Sequence, residues 1–116
     1  MKKLSFVLLA LISSSAIADR IPTGKWQQID TNAGECKTCQ ITVGGITPDI
    51  LEVSGNNGWA GYIYYDKSED RYSGVMQWRN DKVIYFINMT YHNNDLRLTL
   101  QAESSPYKYF VTYEKI

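Results

Sequence analysis

The sequence predicts an all-β fold: one small antiparallel meander of about eight strands closed into a barrel, with a two-sheet β-sandwich as the alternative. Three observations predict it. Past Asp19, short runs rich in aromatic and β-branched residues alternate with turn residues at the spacing of sandwiches and barrels. No helical periodicity interrupts them. The connections are too short for a parallel crossover, which takes about a dozen residues or more, so neighbours in sequence must pair antiparallel. An open meander would leave two edges free to pair with other chains, and closure removes both.

The first run, Gly24 to Asp30, is centred on Trp26. After a polar loop, Cys39 to Val43 alternates strictly and is expected to stop at Gly44-Gly45. Asp49 to Ser54 follows Pro48, and Gly55-Asn56-Asn57-Gly58 reads as a turn because glycine and asparagine tolerate positive φ. Trp59 to Tyr65 and Arg71 to Trp78 flank Asp66 to Asp70 and form a hairpin. Asn80-Asp81 turns the chain into Val83 to Tyr91, the most apolar run, and His92 to Asp95 reverses it again. In Leu96 to Ala102, Leu96, Leu98 and Leu100 alternate with Arg97, Thr99 and Gln101, giving one buried and one wet face. The last run, Tyr107 to Glu114, places Tyr107, Tyr109, Val111 and Tyr113 on one side. Trp26, Leu98 and Leu100 head the expected core.

The N-terminus states a compartment. Met1-Lys2-Lys3 is a short positive segment, Leu4 to Ile12 is nearly all apolar, and the stretch to Ala18 ends in the small-x-small pattern of a signal-peptidase site. Residues 1–18 therefore read as a cleaved signal peptide. The remainder, 116 minus 18 or 98 residues from Asp19, suits one β-barrel domain, 19–116, in the periplasm or secreted. The apolar run falls short of the ~20 residues that span a bilayer, and no later segment approaches that length, so no membrane span is expected. Without Lys2 and Lys3, ten basic residues face twelve acidic ones, a net charge of about −2 that argues against nucleic acid as a partner.

Few residues offer chemistry. Cys36 and Cys39 lie three apart and run straight into a β-pattern, without the helix start that activates a thioredoxin-type thiol. In an exported chain they read as a disulfide. A zinc site would need more ligands than the single histidine, His92, and haem attachment would need histidine where Gln40 stands. No metal site and no cofactor are expected. No glycine-framed serine or phosphate-cradling loop occurs, which leaves only the carboxylate pairs Glu69 with Asp70 and Asp49 with Glu52 for hydrolysis. Solvated loop or outward positions account for both pairs, so no catalytic residue is assigned.

Nine tyrosines and three tryptophans bring large apolar area with polar tips, a composition shared by β-cores and binding surfaces. In two runs both faces are apolar. If Trp59, Gly61, Ile63 and Tyr65 point inward, Tyr62 and Tyr64 point out; if Tyr85, Ile87 and Met89 point inward, Ile84 and Phe86 point out. Parity adds Val75 from the strand between, so Tyr62, Tyr64, Val75, Ile84 and Phe86 form a candidate binding patch on one outer face, unless a bulge near Gly61 or Gly74 shifts the register.

Trp59-Ala60-Gly61-Tyr62-Ile63-Tyr64-Tyr65-Asp66 followed by Arg71-Tyr72-Ser73-Gly74 resembles a family of small exported bacterial proteins of unknown function that carry a W-x-G-x-I-Y-D segment, then Y-x-G and a strand. Gly24-Lys25-Trp26 is similar to their G-x-W opening, and Cys36 and Cys39 to their cysteine pair, though the cysteines stand closer together here and Tyr65 interrupts the I-Y-D order. The opening also resembles lipocalin-type and avidin-type barrels and a small periplasmic metalloprotease inhibitor of lipocalin-like fold. These resemblances imply a lipocalin-like β-barrel and no particular activity. The functional expectation is an exported binding domain that engages an envelope protein, a second copy of itself or a small apolar ligand through aromatic residues. The competing readings are an envelope hydrolase using paired carboxylates and a periplasmic protease inhibitor.

Overall fold

The computed structural model describes residues 21–116, so the expected signal peptide and its expected cleavage point before Asp19 lie outside the described residues. Eight strands follow one another: β1 (Gly24–Thr31), β2 (Gln40–Thr47), β3 (Ile50–Gly55), β4 (Trp59–Asp66), β5 (Arg71–Trp78), β6 (Ile84–His92), β7 (Asp95–Ala102) and β8 (Tyr109–Lys115). Each pairs antiparallel with the next, and β8 returns to pair with β1, Gln27 opposite Glu114, which closes the barrel. The closed β1–β8 ladder selects the lipocalin-like meander over the sandwich.

Alternation along each strand fills the interior. Rows of inward side chains run across the sheet, such as Leu51, Ile63, Gly74, Ile87 and Leu100, or Tyr65, Tyr72, Met89, Leu98 and Val111. Leu51, Ile63, Met89 and Leu96 are wholly inaccessible to solvent, and no charged or polar residue is buried among the described ones. Tyr113 is buried as well, which pushes its phenol far above the ordinary tyrosine range.

Aromatic pairs stop both ends. Where the chain enters, Trp26 meets Tyr91 edge to face at 5.6 Å and Tyr65 meets Tyr72 at 5.2 Å. The Trp26 indole N–H donates to the Pro22 carbonyl (3.0 Å), so the segment before β1 folds across this end, and the Lys115 ammonium lies 5.0 Å from the Trp26 ring. At the other end Trp59 and Trp78 pair at 6.5 Å.

Two glycines let β4 and β5 approach closely. A Cβ on Gly61 would strike the Val75 carbonyl oxygen and stand 2.9 Å from the Met76 Cα; one on Gly74 would strike the Tyr62 carbonyl oxygen and stand 3.0 Å from the Ile63 Cα. Glycine here is a tight coil of the sheet and not a bulge. The β4–β5 register runs unbroken from Trp59 opposite Trp78 to Asp66 opposite Arg71.

Three local expectations are corrected. β2 does not stop at Gly44-Gly45: both glycines pair with β3, opposite Glu52 and Leu51, and the strand runs to Thr47 through a bulge that leaves Ile46 outside. β8 begins at Tyr109, because Pro106 has no N–H to give a ladder and the Tyr107 N–H turns to the Ser105 hydroxyl (3.2 Å). Tyr107 is consequently 71% exposed, off the inner face. Leu100 is half-buried where full burial was expected, since it lies toward the barrel's mouth, between Ile87 and Tyr109. Trp26 and Leu98 are buried as expected.

Candidate functional site

The five patch residues occupy three adjacent strands. Tyr62 on β4 stands opposite Val75 on β5, and Val75 opposite Phe86 on β6, so these three form one cross-strand row on the outer surface. Tyr64 lies two residues further along β4, opposite Ser73, and Ile84 two residues back along β6, opposite Gln77. All five are exposed: Tyr62 49%, Tyr64 55%, Val75 49%, Ile84 41% and Phe86 48%. With strands ~4.8 Å apart and ~3.3 Å per residue, the diagonal from Tyr64 to Ile84 covers about 10 Å across the sheet and 13 Å along it. Roughly half of three aromatic and two aliphatic side chains is on the order of 400 Å2 of apolar surface.

Polar residues rim this surface. The central row continues to Glu52 on β3 and Gln101 on β7. Beside Tyr64, the Ser73 hydroxyl donates to the Asn88 side-chain oxygen across β5 and β6 (2.7 Å). Because Ala60 is small and Gly61 carries no side chain, a notch of about 230 Å3 opens next to Tyr62 and Val75, bounded by Glu52 and Gln77.

The remaining sequence candidates lie elsewhere. Cys36 and Cys39 form a disulfide with their Cα atoms 5.4 Å apart, and no free cysteine remains among the described residues. Their loop is tied down: the Gln27 amide donates to the Lys37 and Cys39 carbonyls (3.0 and 3.1 Å), and Asn56 donates to Thr38 O (2.8 Å) and accepts from Gln40 N (2.9 Å). That arrangement is a structural clamp. His92 ends β6 opposite Asp95, exposed. Glu69 and Asp70 sit in the exposed β4–β5 turn, where Asp70, at φ 51°, accepts from the Tyr65 hydroxyl (2.7 Å). Asp49 and Glu52 are also exposed, in a turn and on the outer face.

In the same β4–β5 turn, the Ser68 hydroxyl donates to Asp66 (2.7 Å) and holds its carboxyl below the ordinary 3.8, assisted by the Ser68 and Glu69 amides and by Arg71. This is a turn-stabilising contact at the surface.

Sequence reasoning missed other exposed apolar residues. Ile29 (53%) and Ile46 (55%) are extruded by bulges, which leave no trace in the alternation. Phe110 (54%) faces outward on β8 and was legible from the parity of Val111 and Tyr113. No helix among the described residues is long and apolar enough to cross a membrane. Compared with known protein families, curated proteins and solved structures, the chain has no significant match.

Proposed function

We propose that the chain is an exported binding domain of a bacterial envelope that docks a partner protein on the outer face of β4, β5 and β6. One observation carries the reading: five exposed apolar side chains converge on three adjacent strands of a barrel whose inside is already filled by its own side chains. A filled interior favours a protein on the outside over a small apolar ligand within. The patch is the size of the largest apolar patches on soluble monomers, which are often functional. It is smaller than the ~800 Å2 each partner contributes to a standard interface, and so fits the central anchor of one, with Glu52, Gln77 and Gln101 in its rim. Export is supported by the leader-like N-terminus and by the Cys36–Cys39 disulfide, a bond that persists in oxidising compartments.

The test replaces Tyr64 and Phe86 together with glutamate. Both are outside the core, so far-ultraviolet circular dichroism and the melting curve should match the parent. Partner capture from envelope extract, read by mass spectrometry, should be lost, and size-exclusion chromatography shows whether the partner is a second copy. Unchanged capture would refute the assignment of this face.

A further inference from the structure

We propose a saccharide-binding site at the end of the barrel stopped by Trp59 and Trp78, in the cleft between the β3–β4 and β5–β6 turns. The two turns stand side by side, joined by the Arg79 N–H donating to the Gly58 carbonyl (2.8 Å), and an open cleft of about 600 Å3 lies between them. A second depression of about 500 Å3 lies on the other side of the Arg79–Asp81 turn. Trp78 lines both. Its half-buried indole is braced edge to face by Trp59, and the residue borders both depressions.

The polar groups around this indole are of a particular kind. Asn57, Arg79 and Asn80 have side chains that make no hydrogen bond or ion pair among the described residues, whereas neighbouring Asn56 is fully engaged with Thr38 and Gln40. Asp81 spends Oδ1 on the Val83 amide (2.9 Å), which leaves Oδ2 as an acceptor. Carboxamides donate and accept, the guanidinium donates, and the carboxylate accepts. In the cleft between the turns Arg79 and Asp81 offset each other in charge, and Lys82 adds a further donor beside the second depression, so the donors and acceptors here suit closely spaced neutral hydroxyls. A pyranose offers such hydroxyls on its rim and a C–H face to lay on Trp78. A purely apolar ligand would leave the polar groups desolvated without partners.

The cleft between the turns shares no lining residue with the β4–β6 patch, although Ala60 and Gln77 line both the second depression and the notch of the patch, and the experiment separates the two. The 15N-labelled chain is titrated with the tetramer of N-acetylglucosamine, with cellotetraose and with maltotetraose up to about 10 mM, enough to detect the ~1 mM affinity of a shallow site. The expected result is a saturable shift of the Trp78 indole N–H and of the Asn57, Asn80 and Asp81 amides with at least one glycan. Arg79→Ala and Asn80→Ala, both exposed changes, should each weaken that binding about five- to tenfold with the melting curve unmoved. Tyr64→Glu with Phe86→Glu should leave it unchanged. The proposal is overturned if no glycan gives a saturable shift, if both single variants bind as the parent does, or if binding vanishes in the Tyr64/Phe86 variant instead.

Discussion

Gly74→Ala and Gly44→Ala are the same chemical change in two strands of this barrel, and the structure gives them opposite signs. At Gly44, on the outer face of β2, a Cβ meets nothing within 4 Å. Alanine there restricts the unfolded chain without touching the folded one, and should stabilise by about 0.4–1 kcal/mol. At Gly74 the added carbon lands on backbone: it strikes the Tyr62 carbonyl oxygen and stands 3.0 Å from Ile63 Cα and 3.1 Å from Tyr62 C. Carbon contacts relax at ~3.5–4.0 Å, so β4 and β5 must part by roughly half an ångström or more. Overpacking of that kind costs ~1–3 kcal/mol, and weakening one or two ladder hydrogen bonds adds ~0.5–1.5 kcal/mol each. The expected loss is therefore about 1.5–6 kcal/mol, and Gly61→Ala, whose Cβ strikes Val75 O, should behave alike. Urea midpoints with unchanged slopes measure all three. If Gly74→Ala melts within ~0.5 kcal/mol of the parent, the close approach of β4 and β5 is wrong, and with it the register that puts Tyr62 beside Val75.

Leu98→Ala should cost about 2–5 kcal/mol, because Leu98 is buried between Met89 and Val111, whereas Arg97→Ala loses only an exposed pair with Asp95 and should cost under about 1 kcal/mol; equal denaturant midpoints would mean the strand parity is misread. Intact mass with an alkylating reagent should find no free thiol in the purified protein, and replacing both cysteines should cost no more than ~2 kcal/mol, since the loop between Cys36 and Cys39 is so short; rapid alkylation without reduction would instead point to an exchanging pair. Asp66 should titrate below 3.8 by NMR, and Ser68→Ala should move it back toward that value. Because folding depresses this pKa, the contact stabilises the fold above the unfolded value and that stability is lost as pH falls through the depressed one. The stability gap between parent and Ser68→Ala should therefore close in acid, and a gap that persists there would assign it to another cause.

Strand order and inner parity were legible because both rest on period-two alternation and short connections, which are local. Leu96, Leu98 and Leu100 against Arg97, Thr99 and Gln101 place β7 without any knowledge of its neighbours. The outer patch was legible for the same reason, as soon as β4, β5 and β6 are consecutive. What failed to show were deviations from the period. A bulge at Ile46 lets β2 continue past Gly44-Gly45, since the paired backbone of β3 holds glycine in a strand that propensity alone would end. The cleft beside Trp78 was hidden differently: Asn57 and Asn80 are distant in sequence and read separately as turn residues, and it is the β4–β5 pairing, Trp59 opposite Trp78, that sets the two turns side by side.

Closure also bears on where function can reside. An eight-stranded barrel is just wide enough to be filled by its own side chains, and here aromatic pairs stop both ends, so the inner parity is committed to stability. Under the proposed binding role, recognition falls to the outer parity and the turns. Most outer positions are what water requires: Lys25, Thr42, Glu52, Arg97 and Glu114 all stand exposed on strands. The preference of strands for aromatic and β-branched residues would scatter apolar side chains over all eight strands alike. It does not explain why Tyr62, Val75 and Phe86 share one row while Tyr64 and Ile84 extend it at opposite corners. Each could be polar at no loss to the core, and together they carry an aggregation risk, which is the argument for the proposed docking face.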